Sequence, residues 1–203
     1  MPRVATPRGP AQVDLTMPAT GRPLSVLVLG HGAGGGVDAP DLVAVRGAVL
    51  ARGVAVAMVT QPYRVAGRRS PAPTAHLDEA FTVVVTGLRR AAKVRGLPLV
   101  VGGRSSGARV ACRTAAALGA AGVLALAFPL YPRGVVERSR AAELATGLPT
   151  LVVNGDRDPF GVPEAGGSVT VAVRPGARHD LRTDLRGTAV LVGDWMCQMG
   201  WAA

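Results

Sequence analysis

Residue types that would signal a metal centre, a disulfide scaffold or a base-stacking surface are scarce in this sequence. Only two of the 203 residues are cysteine, three are histidine and seven are aromatic. Two cysteines cannot brace a disulfide-dense secreted domain; Cys112 and Cys197 lie in apolar, helix-like stretches and read as reduced core residues. No His-x-x-x-His, Cys-x-x-Cys or clustered carboxylate spacing occurs, so no metal is expected. Apolar runs of about 20 residues, the length of a membrane span, are missing as well. Residues 1–11 carry charge and proline but no signal-type apolar stretch, and the expected location is the cytoplasm, with no membrane partner.

The net charge of +10 raises the question of a nucleic-acid partner. Lysine is nearly absent, with Lys93 alone against 22 arginines, and those arginines are scattered, with doublets only at Arg68-Arg69 and Arg89-Arg90. With no basic stripe and few rings to stack on bases, no nucleic-acid partner is expected. A coding bias toward Arg, Ala and Gly accounts for the charge.

What is abundant is Val, Leu, Ala and Gly. A chain that is 48% hydrophobic and 18% charged suits a packed globular protein, and 203 residues suit one domain, residues 1–203. Short continuous apolar runs at 24–29, 54–60, 97–101, 123–128, 150–153 and 169–173 read as strands buried on both faces of a mostly parallel sheet. Helices are predicted between and after them, at 42–52, 77–94, 106–118, 138–145 and 185–199, covering both faces through right-handed crossovers. Residues 1–23 read as a leading hairpin at the sheet edge, and 61–73 as the longest surface loop.

Gly103-Arg104-Ser105-Ser106-Gly107 fits Gly-x-Ser-x-Gly, a pattern that 27 glycines and six serines would produce about 0.1 times by chance. Context strengthens it. An apolar strand runs into the pattern and a good helix former leaves it, as a strand-to-helix turn presenting a nucleophile requires. Side chains two positions either side of a serine on so sharp a turn would collide, hence the glycines. Ser105 is therefore the candidate nucleophile, with the backbone N–H of Ser106, at a helix start, facing the developing oxyanion.

The loop Gly30-His31-Gly32-Ala33-Gly34-Gly35-Gly36 admits two readings. Its Gly-x-Gly-x-x-Gly spacing matches a dinucleotide fingerprint, but the acid expected after the next strand is replaced by Thr60-Gln61-Pro62, leaving only Arg64 to favour a phosphate. Alternatively, His-Gly-x-Gly supplies the second oxyanion donor of a lidless esterase, here the N–H of Ala33, with His31 bracing the loop. The second reading needs a serine elbow downstream, and one is present. It calls for no cofactor.

In chain order an acid and then a base should follow the serine. Asp158, in Asn154-Gly155-Asp156-Arg157-Asp158-Pro159, is preferred as the acid, with Asp156 as the alternative and more a turn former. His179, after the last strand and before the last helix, is the base; His76 precedes the elbow and reads as a surface residue.

These segments resemble the α/β-hydrolase superfamily across nearly the whole chain. More narrowly, Gly102 to Arg109, Phe128-Pro129-Leu130-Tyr131-Pro132 and Asn154 to Gly161 resemble small dienelactone-hydrolase-like proteins related to a subunit of the nonspecific-lethal histone acetyltransferase complex. The resemblance implies an α/β-hydrolase fold and Ser105, Asp158 and His179 as the triad. Departures stand at Ser106, where the family often has Met, at Ala108, where it has Gly, and at Tyr131, where it has His. True dienelactone hydrolases use a cysteine nucleophile, whereas serine stands here. The segment 131–147 is too short for a cap domain, so an open site acting on a small or exposed acyl substrate is expected, an ester or thioester. The competing expectation is a non-catalytic interaction protein that keeps the fold.

Overall fold

The computed structural model describes residues 2–132 and 135–203. Among them lie eight strands, β1 (Arg3–Val4), β2 (Ala11–Thr16), β3 (Ser25–Gly30), β4 (Val54–Thr60), β5 (Leu99–Arg104), β6 (Gly122–Leu126), β7 (Thr150–Gly155) and β8 (Val169–Arg174). Five helices accompany them: α1 (Pro40–Leu50), α2 (Pro62–Val65), α3 (Thr74–Arg89), α4 (Ser106–Thr114) and α5 (Leu185–Gln198). The strands form one sheet in the order β1-β2-β4-β3-β5-β6-β7-β8. The leading hairpin is antiparallel within itself and to β4, and every other pairing is parallel.

The apolar runs are strands because both of their faces are covered. Val26 and Val28 of β3 pack with Phe81 and Val84 of α3 and Ala108 and Ala111 of α4. Leu27 and Leu29, pointing the other way, pack with Leu42, Val45 and Val49 of α1 and Val192 and Met196 of α5. Alternation along one fully buried strand thus feeds two cores, which a period-two pleat demands. Burying a single such Leu is worth about 1.5–3 kcal/mol, so the central strands fix the register of the sheet.

Several boundaries differ from the sequence expectation. The helix predicted at 138–145 is only a 3-10 turn over Ala141–Leu144. There the N–H of Arg140 is spent on the Leu130 carbonyl at 2.8 Å, and so short a segment cannot repay helix nucleation. The long helix begins earlier, after Pro73, and ends at Arg89, beyond which tight turns such as Ala91 N–H to Leu88 carbonyl take over. The regular part of α4 likewise ends at Thr114 rather than 118. The loop 61–73 contains the single turn α2. Cys112 is buried as expected, but Cys197 is only half-buried; both are free thiols.

Candidate active site

The C-terminal ends of the parallel strands place the candidate residues. Strand β5 ends at Arg104, α4 starts at Ser106, and Ser105 between them has φ 53° and ψ −110°. A non-glycine residue there is strained, and the surroundings hold it: the Ser105 N–H donates to the Leu126 carbonyl at the end of β6, 2.9 Å away. The flanking glycines are required by contact. A Cβ on Gly103 would stand 2.5 Å from the Gly30 carbonyl oxygen, and one on Gly107 would overlap the same group. The elbow is thus wedged against the last residue of β3, and any side chain at either position would prise them apart.

His179 lies in the loop between β8 and α5. Its Nδ1 is 2.8 Å from Asp158 Oδ2 and its Nε2 is 2.9 Å from Ser105 Oγ. An ionised carboxylate can only accept, so Nδ1 carries the proton; Nε2 of the neutral ring then accepts from the Ser105 hydroxyl. The Asp158 side chain is fully buried, and its other oxygen accepts the Phe160 N–H at 2.9 Å. The Phe160 ring packs against the imidazole with centroids 4.5 Å apart. Asp156, two residues earlier, is exposed and remote from this chain of bonds, its N–H donating to the Arg174 carbonyl.

The glycine loop runs beside the serine. A Cβ on Gly32 would lie 3.6 Å from Ser105 Cβ and 2.9 Å from Arg104 Nη1, so the absence of a side chain admits both. Ala33 and Ser106 are partly exposed, and among the described residues neither of their backbone N–H groups donates to a protein acceptor. The loop is braced from behind. His31 accepts the Gln61 N–H at Nε2, 3.0 Å away, and its Nδ1 donates to the Gly32 carbonyl, 2.8 Å away. Burial holds its pKa below the usual imidazole value, which keeps the ring neutral. Tyr63 Oη donates to the Ala33 carbonyl at 2.7 Å. The Gly-x-Gly-x-x-Gly spacing serves a turn closed by the Gly35 N–H on the Gly32 carbonyl, and α1 starts only at Pro40.

Cavities of about 260 to 460 Å³ dent the surface, and neither Ser105 nor His179 lines any of them. Ser105 is partly exposed, and beside it His31, Ser106 and Gly107 line a small cleft of about 10 Å³. Of the short segment 131–147, Arg133 and Gly134 lie outside the described residues; the rest carries only the 3-10 turn. His76 lies half-buried in the first turn of α3, on the rim of another cavity. Sequence reasoning missed two supports. Asn154, buried at the end of β7, accepts the Phe128 N–H and donates to the carbonyls of Phe128 and Gly161, tying the Asp158 turn to the end of β6. A polar residue closing an otherwise apolar strand was the signal. Arg104 has no comparable signature.

Among the described residues, no group of three or more His, Cys, Asp or Glu side chains could hold a metal ion. No helix among them is long and apolar enough to cross a membrane.

Three solved structures superimpose closely at low identity. An alpha-beta serine hydrolase homologue from Coxiella burnetii is 17% identical with a TM-score of 0.79, over 96% of this chain and 95% of that one. A lidless a/b serine hydrolase from Xanthomonas campestris is 19% identical with a TM-score of 0.77, over 98% and 93%. Dienelactone hydrolase from Anabaena variabilis is 17% identical, also with a TM-score of 0.77, over 97% and 95%. Curated protein sequences give no match. A sequence profile described as an alpha/beta hydrolase domain matches residues 23–188. With most of its length covered by that profile and its sheet ordered as described, this chain belongs to the alpha/beta hydrolase family.

Proposed function

We propose that the protein is a serine esterase acting on small or exposed carboxylic esters or thioesters through an acyl-enzyme. The observation that carries this reading is the continuous chain from Ser105 Oγ through the His179 ring to buried Asp158, with contacts of 2.9 and 2.8 Å. Ser105 attacks the acyl carbonyl carbon as its hydroxyl proton passes to His179 Nε2. The oxygen's negative charge is met by the N–H groups of Ala33 and Ser106, neither of which donates to an acceptor among the described residues. His179 then returns its proton to the departing alcohol or thiol. Water, deprotonated by the same nitrogen, cleaves the acyl-enzyme and releases the acid. Asp158 stabilises the imidazolium that forms in each half-reaction and keeps its tautomer.

The serine hydrolase relatives support the reading by their fold, and the partial exposure of Ser105 and His179 favours an acyl group presented from outside over one swallowed whole. Two unpaired thiols suit a reducing compartment, and we assign the protein to the cytoplasm. The experiment is hydrolysis of short-chain p-nitrophenyl esters and thioesters by the full chain and by Ser105→Ala. Turnover by the parent and its loss in the variant are expected. A parent with no turnover of either ester class, or a variant equal to it, would contradict the proposal and favour a non-catalytic interaction protein.

A further inference from the structure

The residue before the serine is not filler. The Arg104 side chain is only 17% exposed and touches three separate elements. Its Nη2 donates to the His179 main-chain carbonyl at 3.0 Å, and its Nε lies 3.1 Å from Asp41 Oδ2 at the start of α1. Its Nη1 lies against the open side of Gly32. One planar guanidinium therefore spans the turn of the nucleophile, the loop of the base and the glycine loop.

We infer that Arg104 is a positioning residue that sets the imidazole of His179 over Ser105, with Asp41 as its anchor; this rests on the esterase reading above. His179 lies in a turn closed by the Leu181 N–H on the Arg178 carbonyl, 3.0 Å away, with Leu181 at φ 52°; ring placement depends on that turn and on what holds the main chain of residue 179 within it. Beside the turn bond, the contact made to residue 179's own main chain is the Arg104 bond to its carbonyl. Arginine suits the task because its donors point in fixed, divergent directions, so one group can serve a carboxylate and a carbonyl at once. Asp41 keeps that fork oriented. Its side chain is 1% exposed and its Oδ1 accepts the Leu42 N–H at 3.0 Å; burial raises its pKa, and the Arg104 guanidinium beside Oδ2 opposes that shift. Among the described residues no other basic side chain is paired with it. The arrangement also explains Gly32 without reference to substrate: a methyl group there would push against the guanidinium.

The role differs from catalysis, since Arg104 reaches the reacting atoms only through the backbone of His179. Misplacing a catalytic group by about 1 Å can cost about 100-fold in rate. The test compares the full-length parent with Arg104→Met, Arg104→Lys, Asp41→Asn and Ser105→Ala, using p-nitrophenyl acetate turnover and the downfield proton resonance of the His179–Asp158 bond. Arg104→Met should lower kcat about 10- to 100-fold with KM changed less than about twofold, and broaden or remove the resonance. Arg104→Lys should recover part of the rate, and Asp41→Asn should lose less than Arg104→Met. A folded Arg104→Met with kcat within twofold of the parent and an unchanged resonance would overturn the inference. Should Arg104→Met fail to fold, Asp41→Asn decides: parental kcat and resonance contradict the inference, and a fall in both supports it. The two proposals fail separately. If Ser105→Ala turns over ester like the parent, the esterase reading falls; if only Ser105→Ala is inactive while the Arg104 and Asp41 variants match the parent, the positioning role alone falls.

Discussion

Two loops at the C-terminal end of the parallel strands each carry a histidine bonded through both ring nitrogens, yet the two rings are built for different work. His31 is nearly buried, and both of its partners are main-chain groups, the Gln61 N–H and the Gly32 carbonyl. His179 is partly open, and both of its partners are side chains, a hydroxyl and a carboxylate. The difference lies in what protonation would do. On His31 a second proton would sit against a backbone N–H in a dry site, with no acceptor. On His179 the carboxylate of Asp158 is already in place to stabilise the imidazolium. A ring tied to backbone on both sides braces a loop; a ring between an acid and a hydroxyl can carry a proton back and forth.

The contrast breaks first at the His179 end. Asp158→Asn should lower ester turnover by about 10³–10⁴-fold, because the amide reverses the donor pattern that fixes the ring's tautomer, while the unfolding midpoint in urea moves little by comparison. His31→Ala should do the opposite. It strands the buried Gln61 N–H and should cost about 1–3 kcal/mol in urea unfolding, with a smaller fall in turnover from a loosened Ala33 donor.

The pH dependence of stability sharpens the comparison. Because the folded pKa of His31 lies below 6.5, the folded protein resists a proton that the unfolded chain accepts. Its contribution is complete above that pH and is lost as pH falls from 6.5 toward the folded value. Unfolding free energy measured between pH 7.5 and 5 should decline more steeply for the parent than for His31→Ala. The smallest effect concerns the thiols. Burial pushes the Cys112 thiol up to about 12, so in the native protein iodoacetamide should modify half-buried Cys197 and leave Cys112 intact, as peptide mass spectrometry would read.

The order of elements was legible because buried parallel strands need uninterrupted apolar runs, and Val-rich β3, β4 and β7 have them. The strained turn at Ser105 was legible through Gly103 and Gly107, since the sterics that exclude a Cβ there leave a direct mark on composition. The 3-10 turn at Ala141–Leu144 was not, because the residues there are good helix formers and the segment's shortness, with its start pinned by the Arg140 N–H on the Leu130 carbonyl, is set by the fold around it. Choosing between Asp156 and Asp158 was a matter of which carboxylate the turn buries. Spacing could favour one, but only the fold shows Asp158 enclosed beside Phe160. The Arg104 contacts lay further out of reach: one arginine among 22 carries no local pattern when its partners, Asp41 at the start of α1 and His179 in the loop after β8, lie far from it along the chain.

The most direct measurement of the central claim is covalent capture of the nucleophile. The parent and His179→Ala should be treated with a fluorophosphonate and digested, and the adduct located by mass spectrometry. The account predicts a single adduct on Ser105 in the parent and a labelling rate reduced by about 10³-fold or more without His179. An unlabelled Ser105 in the folded parent, or equal labelling with and without His179, would contradict it.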